Sequence, residues 1–291
     1  MILVVGATGY LGGLIAHRLL ELGEPVRILT RAGSSLDALA APGAQTVTGD
    51  LKDPASLEEA CSGVDAVVTT ANSVLRGGED TVESVDRVGN RNLVAAASAA
   101  GVRRFLFISA LGADPGSPDE FMRAKGETEA LVRGSGMAWT VLSPNLFMDV
   151  WVPAVVGGPA LSGQPVTIVG SGTRQHSMVA ADDVAAYAVA AIARPEAEGQ
   201  TLIIGGAQPV SWRDVVAAFE QQLDRELLVR TVEAGQPVPG LPDMMSQLLA
   251  VTDTYDSPID MTELSARYGI PPTSLDDVVR GFLTANPRPA P

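Results

Sequence analysis

Leu3-Val4-Val5-Gly6-Ala7-Thr8-Gly9-Tyr10-Leu11-Gly12 is the stretch of this sequence that decides the fold. An apolar run leads directly into three glycines spaced G-x-x-G-x-x-G, and a helical pattern follows at once. Gly6 and Gly9 permit unusual φ values and let the backbone approach a phosphate, while Gly12 lets the helix lie close to the strand. The N–H groups at the helix N-terminus then face the phosphates. The stretch predicts the pyrophosphate site of a dinucleotide; the alternative is a strand-to-helix turn without a ligand.

The end of the second predicted strand bears on which dinucleotide binds. The strand covers residues 25–30 and follows a helix predicted over 11–22, which completes a βαβ unit. An acidic residue at this strand end holds the ribose 2′-hydroxyl in such units, whereas an arginine suits a 2′-phosphate. Here Thr30 is followed by Arg31, and a guanidinium binds a phosphate through two parallel charge-assisted hydrogen bonds. Arg31 therefore favours NADP(H) over NAD(H); the alternative is a solvated surface arginine.

Further short apolar runs set the fold class. They cover residues 44–48, 66–70, 105–109 and 138–142, with helical patterns between them. Apolar strands of this kind are buried on both faces of a parallel sheet. We predict an α/β protein with a Rossmann-like, doubly wound parallel sheet. Polar residues follow each strand, and we expect them to converge on one crevice at the carboxyl ends of the strands.

These residues carry a family resemblance. The sequence resembles the atypical short-chain dehydrogenase/reductase superfamily, in particular its NmrA-like branch, which includes isoflavone reductase-like enzymes and bacterial quinone reductases. The matching segments are the glycine loop, Val26-Arg27-Ile28-Leu29-Thr30-Arg31, Gly49-Asp50-Leu51, Lys125 with Glu129, residues 135–144 and Ala181-Asp182-Asp183-Val184-Ala185. The resemblance implies a core over residues 1–150 and a small C-terminal lobe over 151–291, which is mainly substrate-binding. About residues 176–206, the chain returns to the core.

The resemblance also implies site residues. Asp50 and Leu51 would border the adenine, and residues 70–72 would pass beside the adenosine ribose and the nicotinamide side. Lys125 would bind the nicotinamide ribose, and residues 144–147 would close over the nicotinamide. With Arg31, the cofactor set is Gly6, Thr8, Gly9, Tyr10, Leu11, Gly12, Asp50, Leu51, Thr70, Ala71, Asn72, Lys125, Pro144, Asn145 and Phe147. The substrate pocket is Ser73, Phe121, Phe147, Trp151, His176 and Met178. The alternatives are a helix cap for Asp50, a turn residue for Asn72 and a structural histidine for His176.

The sequence departs from the superfamily at its catalytic acid. Many members carry Tyr-x-x-x-Lys, in which the lysine lowers the pKa of the tyrosine that shuttles the proton. Here the stretch is Phe121-Met122-Arg123-Ala124-Lys125, so the ring is present and the acid is absent. Isoflavone reductase-like relatives also work without this tyrosine. We therefore take Lys125 and Ser109 as the catalytic candidates, with Ser109 bonding the reacting oxygen. The alternative for Lys125 is a solvated lysine paired with Glu129.

Composition limits the remaining possibilities. With 291 residues, 46% of them hydrophobic, the chain can bury one large core and a lobe. A net charge of −14 argues against a nucleic-acid partner, and one cysteine argues against disulfides and metal clusters. No apolar run approaches the roughly 20 residues that span a bilayer, and no leader is evident. We expect a cytoplasmic, bacterial protein without metal or membrane partners that acts on a small molecule as a monomer or homodimer.

Three functions fit these observations. The first is an NADPH-dependent reductase of a small apolar carbonyl, quinone or enone in bacterial secondary metabolism, which Lys125 favours. The second is a non-catalytic NADP(H) sensor of the NmrA type, which Phe121 in place of the acid favours. The third is a non-redox isomerase or epimerase on the same scaffold. The sequence predicts the first.

Overall fold

The computed structural model describes residues 1–33, 43–74 and 76–287. Its strands are β1 (Ile2–Val5), β2 (Val26–Thr30), β3 (Gln45–Thr48), β4 (Ala66–Thr69), β5 (Arg104–Ile108), β6 (Ala138–Pro144), β7 (Val166–Val169), β8 (Gln200–Ile204) and β9 (Val229–Val232). Its helices are α1 (Tyr10–Glu21), α2 (Pro54–Cys61), α3 (Asn90–Ala99), α4 (Glu120–Arg133), α5 (Met148–Val152), α6 (Gly158–Ser162), α7 (Ala181–Ala193), α8 (Trp212–Leu223), α9 (Asp243–Thr252), α10 (Thr262–Tyr268) and α11 (Leu275–Ala285). A π-helix, Val82–Gly89, leads directly into α3.

The chain divides into two compact units. The first comprises Met1–Pro144 and Val184–Ile203, and the second comprises Asn145–Asp183 and the chain from Ile204 onward. Each unit is therefore built from two separate stretches of sequence.

The first unit contains a seven-stranded sheet in the order β3-β2-β1-β4-β5-β6-β8 among the described residues. Strands β1 to β6 pair in parallel, with Val5 beside both Leu29 and Thr69. Strands β1, β2, β4 and β5 are buried because helices cover them: Leu57 of α2, Leu93 of α3 and Val132 of α4 share one core with β1 and β5. Strand β3 lies at the edge of the sheet and is mostly exposed, so the expectation that it is buried is wrong. The strand order reverses between β1 and β4, and ligands of such sheets bind at that reversal, beyond the carboxyl ends of the strands.

The second unit contains a two-stranded parallel sheet in which β7 pairs with β9. Its core is formed by α5, α8, α9 and α11 around β7, with Phe219 and Phe282 in edge-to-face contact at 5.9 Å between ring centroids. Ser211 caps α8 by accepting a hydrogen bond from the Asp214 backbone N–H. No helix in the described ranges combines the length and hydropathy needed to cross a membrane.

Candidate active site

The glycine loop joins β1 to α1 through a tight turn, in which the Gly9 N–H donates to the Gly6 carbonyl at 2.9 Å. Gly6 has a φ of +88°, and a Cβ at Gly12 would lie 2.2 Å from the Gly6 carbonyl oxygen. Both positions therefore require glycine for the fold itself. Gly9 is different from the expectation: its φ of −88° is ordinary, and a Cβ there would meet the Gly6 oxygen at 3.3 Å. Glycine at position 9 therefore relieves a close contact with the Gly6 oxygen instead of providing an unusual φ.

The N-terminus of α1 is suited to an anion. Gly9 is its N-cap, no side chain caps it, and its first turn carries no acidic residue. Thr8 and Tyr10 are exposed beside it, and Leu11 is half-buried. Backbone N–H groups and the helix dipole at such an end favour a phosphate.

A cleft lies at the carboxyl ends of β1, β2, β3 and β4. It brings together predicted cofactor residues from four segments of the chain: Gly6, Thr8, Arg31, Asp50, Leu51, Ala71 and Asn72. Apolar side chains such as Val5 and Leu29 line it alongside charged groups. The lack of a side chain at Gly9, an uncapped helix start and cations at the cleft fit a dinucleotide, with the phosphates at the loop and the adenosine end toward Arg31.

Asp50 and Asn72 line the cleft while holding their own loops. The Asp50 carboxylate accepts from the Lys52 backbone N–H at 2.8 Å, and Asp53 is the residue that caps α2. Asn72 donates to the Thr70 carbonyl at 3.2 Å and accepts from the Val74 N–H at 3.0 Å. Asn72 thus makes the hydrogen bonds of a turn residue, and the cap role considered for Asp50 is wrong.

Arg31 is exposed, but it is paired with an acidic residue. Its Nη1 lies 2.6 Å from Asp80 Oδ2, and Lys52 Nζ lies 2.6 Å from Asp80 Oδ1. Arg76 Nη1 is 3.9 Å from Asp80 Oδ2, and the Asp80 side chain is only 9% exposed. The hydrogen bond from Lys52 holds the pKa of Asp80 below its usual value. We name Arg31, Lys52, Arg76 and Asp80 the Asp80 cluster.

Lys125 is buried on α4, with 3% of its surface exposed, so the solvated alternative is wrong. Its Nζ donates to the Ile108 carbonyl at 3.1 Å and lies 4.9 Å and 5.4 Å from the ring centroids of Phe107 and Phe121. Burial disfavours the charged form and lowers the Lys125 pKa, although the charges of Asp86 and Glu129 oppose this. The lysine therefore lies among aromatic rings at the carboxyl end of β5.

Ser109 does not present its proton to a substrate. Its hydroxyl donates to Glu129 Oε1 at 2.5 Å, and Glu129 Oε2 accepts from Arg133 at 2.7 Å. Both Ser109 and Glu129 are buried. The expected hydrogen bond from Ser109 to a reacting oxygen is replaced by this internal one, because the buried carboxylate needs a donor.

A buried acidic residue that sequence reasoning missed is Asp86, in the π-helix. Its Oδ2 accepts from the Ser73 N–H at 2.9 Å and from the Ser73 hydroxyl at 2.6 Å. Ser73 therefore gives both protons to Asp86 instead of to a substrate. The Oδ1 atoms of Asp86 and Asn90 are buried without a hydrogen-bond partner in the described part of the chain. The sequence contains one indication that Asp86 is buried: it falls on the helix face that carries the apolar residues Val85 and Leu93.

His176, in the second unit, is a structural histidine. Its Nδ1 lies 2.7 Å from the Ser257 hydroxyl, and its Nε2 lies 3.0 Å from the Thr252 carbonyl. A carbonyl only accepts, so Nε2 carries the proton and Nδ1 accepts from Ser257. Burial lowers the His176 pKa, which favours this neutral form. Both ring nitrogens are used within the protein, so the substrate role considered for His176 is replaced by the structural one.

The other predicted residues of the second unit are mostly internal. Trp151 and Met178 lie in its hydrophobic core instead of on an exposed pocket wall. Asn145 donates to the Ser257 carbonyl and hydroxyl at 3.1 and 3.0 Å. Phe147 is half-buried at the start of α5, and Pro144 ends β6 in the first unit. Their predicted contacts with cofactor or substrate stay predictions.

Comparison with known proteins decides the family. Residues 6–195 match the model of a family described as NAD(P)H-binding. The chain belongs to that family. The predicted Rossmann-like fold and nicotinamide dinucleotide cofactor are confirmed.

Two curated relatives and one solved structure that resemble this chain are named reductases or oxidoreductases. The chain is 33% identical over 261 residues to the NAD(P)H azoreductase of Xenophilus azovorans, covering 86% of this chain and 87% of that protein. It is 35% identical over 228 residues to the (4-alkanoyl-5-oxo-2,5-dihydrofuran-3-yl)methyl phosphate reductase of Streptomyces griseus, covering 78% and 75%. The NADPH complex of an Escherichia coli NADPH-dependent quinone oxidoreductase has a TM-score of 0.79 and 26% identity, covering 97% and 100%. The predicted assignment to NADP-dependent oxidoreductases is thereby confirmed.

Proposed function

We propose that this protein is an NADPH-dependent reductase of small apolar quinones. The observation that carries the proposal is the buried Lys125, which is flanked by the rings of Phe107 and Phe121. Phe121 stands at the position where many members of the superfamily have the tyrosine acid. When bound, NADPH supplies a hydride from C4 of its nicotinamide ring. Similarity to an azoreductase and to a quinone oxidoreductase supports this substrate class.

The missing acid favours a quinone over a simple ketone. Hydride addition to a ketone leaves an alkoxide, which is so basic that a positioned acid is needed in the transition state. Hydride addition to a quinone leaves a phenolate-like anion, and a phenol has a pKa of about 10. That anion forms without an acid if a positive charge stabilises it. Lys125 supplies such a charge, and the neighbouring rings supply an apolar surface for a flat substrate.

The first unit provides the residues that bind NADPH in this proposal. The glycine loop and the start of α1 hold the pyrophosphate, and Leu51 and Leu29 provide apolar surface for the adenine. Arg31 binds the 2′-phosphate. Asp86 and Glu129 favour the protonated form of Lys125, against the effect of burial.

The test is turnover by Lys125→Met, which retains apolar length and removes the charge. NADPH consumption is followed with benzoquinone, an azo dye and cyclohexanone as acceptors. We expect wild-type turnover of benzoquinone to exceed that of cyclohexanone, and Lys125→Met to lower benzoquinone turnover by about 10²-fold. Arg123→Met, on the same helix, is the matched control and leaves turnover unchanged. Full activity of Lys125→Met would remove Lys125 from the mechanism, and no turnover of any acceptor by wild type would favour a sensor.

A further inference from the structure

The Asp80 cluster places a carboxylate where the 2′-phosphate of NADPH is expected. Arg31 and Lys52 each contact a different oxygen of Asp80 at 2.6 Å, and Arg76 approaches at 3.9 Å. Arg31, Arg76 and Asp80 all line the cleft of the first unit. Two carboxylate oxygens facing several cations reproduce the arrangement that a phosphate would adopt there.

The charges at the Asp80 cluster are such that the Asp80 carboxylate and a phosphate would compete for the same cations. Arg31, Lys52 and Arg76 carry three positive charges, and Asp80 and Asp50, which lies 3.5 Å from Lys52 Nζ, carry two negative ones. A phosphate monoester adds a charge of about −2 at neutral pH. With Asp80 in place the total becomes negative, whereas after Asp80 leaves the cations the phosphate neutralises the remainder. A neutral ribose 2′-hydroxyl adds no charge, so it can bind while Asp80 stays on the cations.

We propose that the Asp80 carboxylate is an internal competitor of the 2′-phosphate, and that it sets the ratio of NADPH to NADH affinity. The proposal rests on the proposed binding of NADPH through Arg31. Without ligand, Asp80 keeps Arg31 and Lys52 at the cleft, and NADPH has to displace it. NADH, which lacks the phosphate, leaves Asp80 bound to the cations.

The backbone around Asp80 allows this displacement. Asp80 ends a tight turn in which its N–H donates to the Gly77 carbonyl at 3.3 Å. Gly77 and Gly78 have φ values of +74° and +65°, and a Cβ on either would meet no described atom within 4 Å. Thr81 caps the π-helix that follows, because its hydroxyl accepts from the Ser84 N–H at 3.1 Å. The two glycines give the turn before Asp80 the backbone freedom to carry the carboxylate off the cations, while the cap holds the start of the helix in place.

The experiment measures calorimetric binding of 2′,5′-ADP and 5′-ADP, two adenosine fragments that differ in the 2′-phosphate, to wild type and Asp80→Asn. We expect Asp80→Asn to bind 2′,5′-ADP about tenfold more tightly than wild type, which corresponds to one charge-assisted hydrogen bond. Binding of 5′-ADP stays unchanged, and the gain shrinks in high salt. Asp65→Asn is the matched control, because Asp65 also pairs with two cations, Arg103 and the N-terminal amine, before β4.

Each other outcome overturns the proposal. Weaker binding of 2′,5′-ADP by Asp80→Asn would mean that Asp80 orients the cations for the phosphate. Weaker binding of 5′-ADP would make Asp80 an acceptor for the ribose hydroxyl, and equal binding in all variants would separate Asp80 from the ligand. Asp80→Ser and a thermal melt of each variant guard against misfolding. These fragments report on the adenosine end alone, so the result is readable even if wild type reduces no quinone.

Discussion

Phe121→Tyr restores the acid that this chain lacks, and it tests why a quinone is the preferred substrate. The Phe121 ring centroid is 5.4 Å from Lys125 Nζ, so a phenol on this ring lies near an ammonium. At an effective dielectric constant of about 20, a unit charge at this distance contributes about 3 kcal/mol. That energy favours the phenolate and makes the phenol roughly a hundredfold more acidic. Phe121 is half-buried, so we expect the added hydroxyl to be tolerated.

The assay compares NADPH consumption with cyclohexanone and benzoquinone over a range of pH. A positioned acid accelerates reactions by about 10² or more. We therefore expect Phe121→Tyr to raise cyclohexanone turnover at least about tenfold, since its position is not optimised, and to leave benzoquinone turnover unchanged. Phe121→Leu, which removes the ring without adding an acid, is the control and gains nothing. An equal rise for both substrates would refute the argument that the quinone needs no acid. A folded variant with no gain would place the ring away from the reacting atoms.

Three further predictions concern cofactor binding and stability. Arg31→Ala should weaken NADPH binding in calorimetry while NADH binding is retained; equal weakening of both would contradict a 2′-phosphate contact. Gly9→Val should fold, because its Cβ would approach one atom, the Gly6 carbonyl oxygen, at 3.3 Å and requires only a small shift there, and it should lose NADPH binding. Gly12→Val should fail to fold because its Cβ lies 2.2 Å from the same oxygen. Tight NADPH binding by Gly9→Val would move the phosphate elsewhere. Burial lowers the His176 pKa, so the folded state binds fewer protons than the unfolded state, and stability falls as the pH drops below about 6.5 toward the folded pKa. Denaturant unfolding of His176→Asn should show a smaller loss over this pH window, and an identical loss would assign it to other groups.

The sequence predicts those parts of the fold whose information is local. The glycine loop determines a turn within ten residues, and each apolar run determines a strand, so β1 to β6 and the sheet class follow directly. The same locality identifies the cleft, because parallel strands bring their carboxyl ends to one edge. Arg31, Asp50 and Asn72 line that cleft as cofactor residues were expected to do.

Side chains that meet over long sequence separations were not predictable. Asp80 lies 49 residues from Arg31, and Ser257 lies 81 residues from His176. No sequence periodicity connects such pairs. An isolated arginine or histidine in the sequence therefore fits a ligand contact and an internal partner equally well. Ser109 illustrates the same limit. Its position after β5 could be predicted, but the acceptor of its hydroxyl proton is Glu129, which lies on α4 one turn beyond Lys125.

The two-stretch construction of each unit has a consequence for synthesis on the ribosome. Strand β8 lies next to β6 at the end of the large sheet, yet it is translated after the whole first stretch of the second unit. Until then β6 is an edge with unpaired backbone groups, which is a template for aggregation. A nascent chain that stops near residue 144 therefore holds the complete glycine loop on an unfinished sheet. Dinucleotide arriving at this stage could stabilise it before the edge is closed, which would make cellular cofactor supply a determinant of yield.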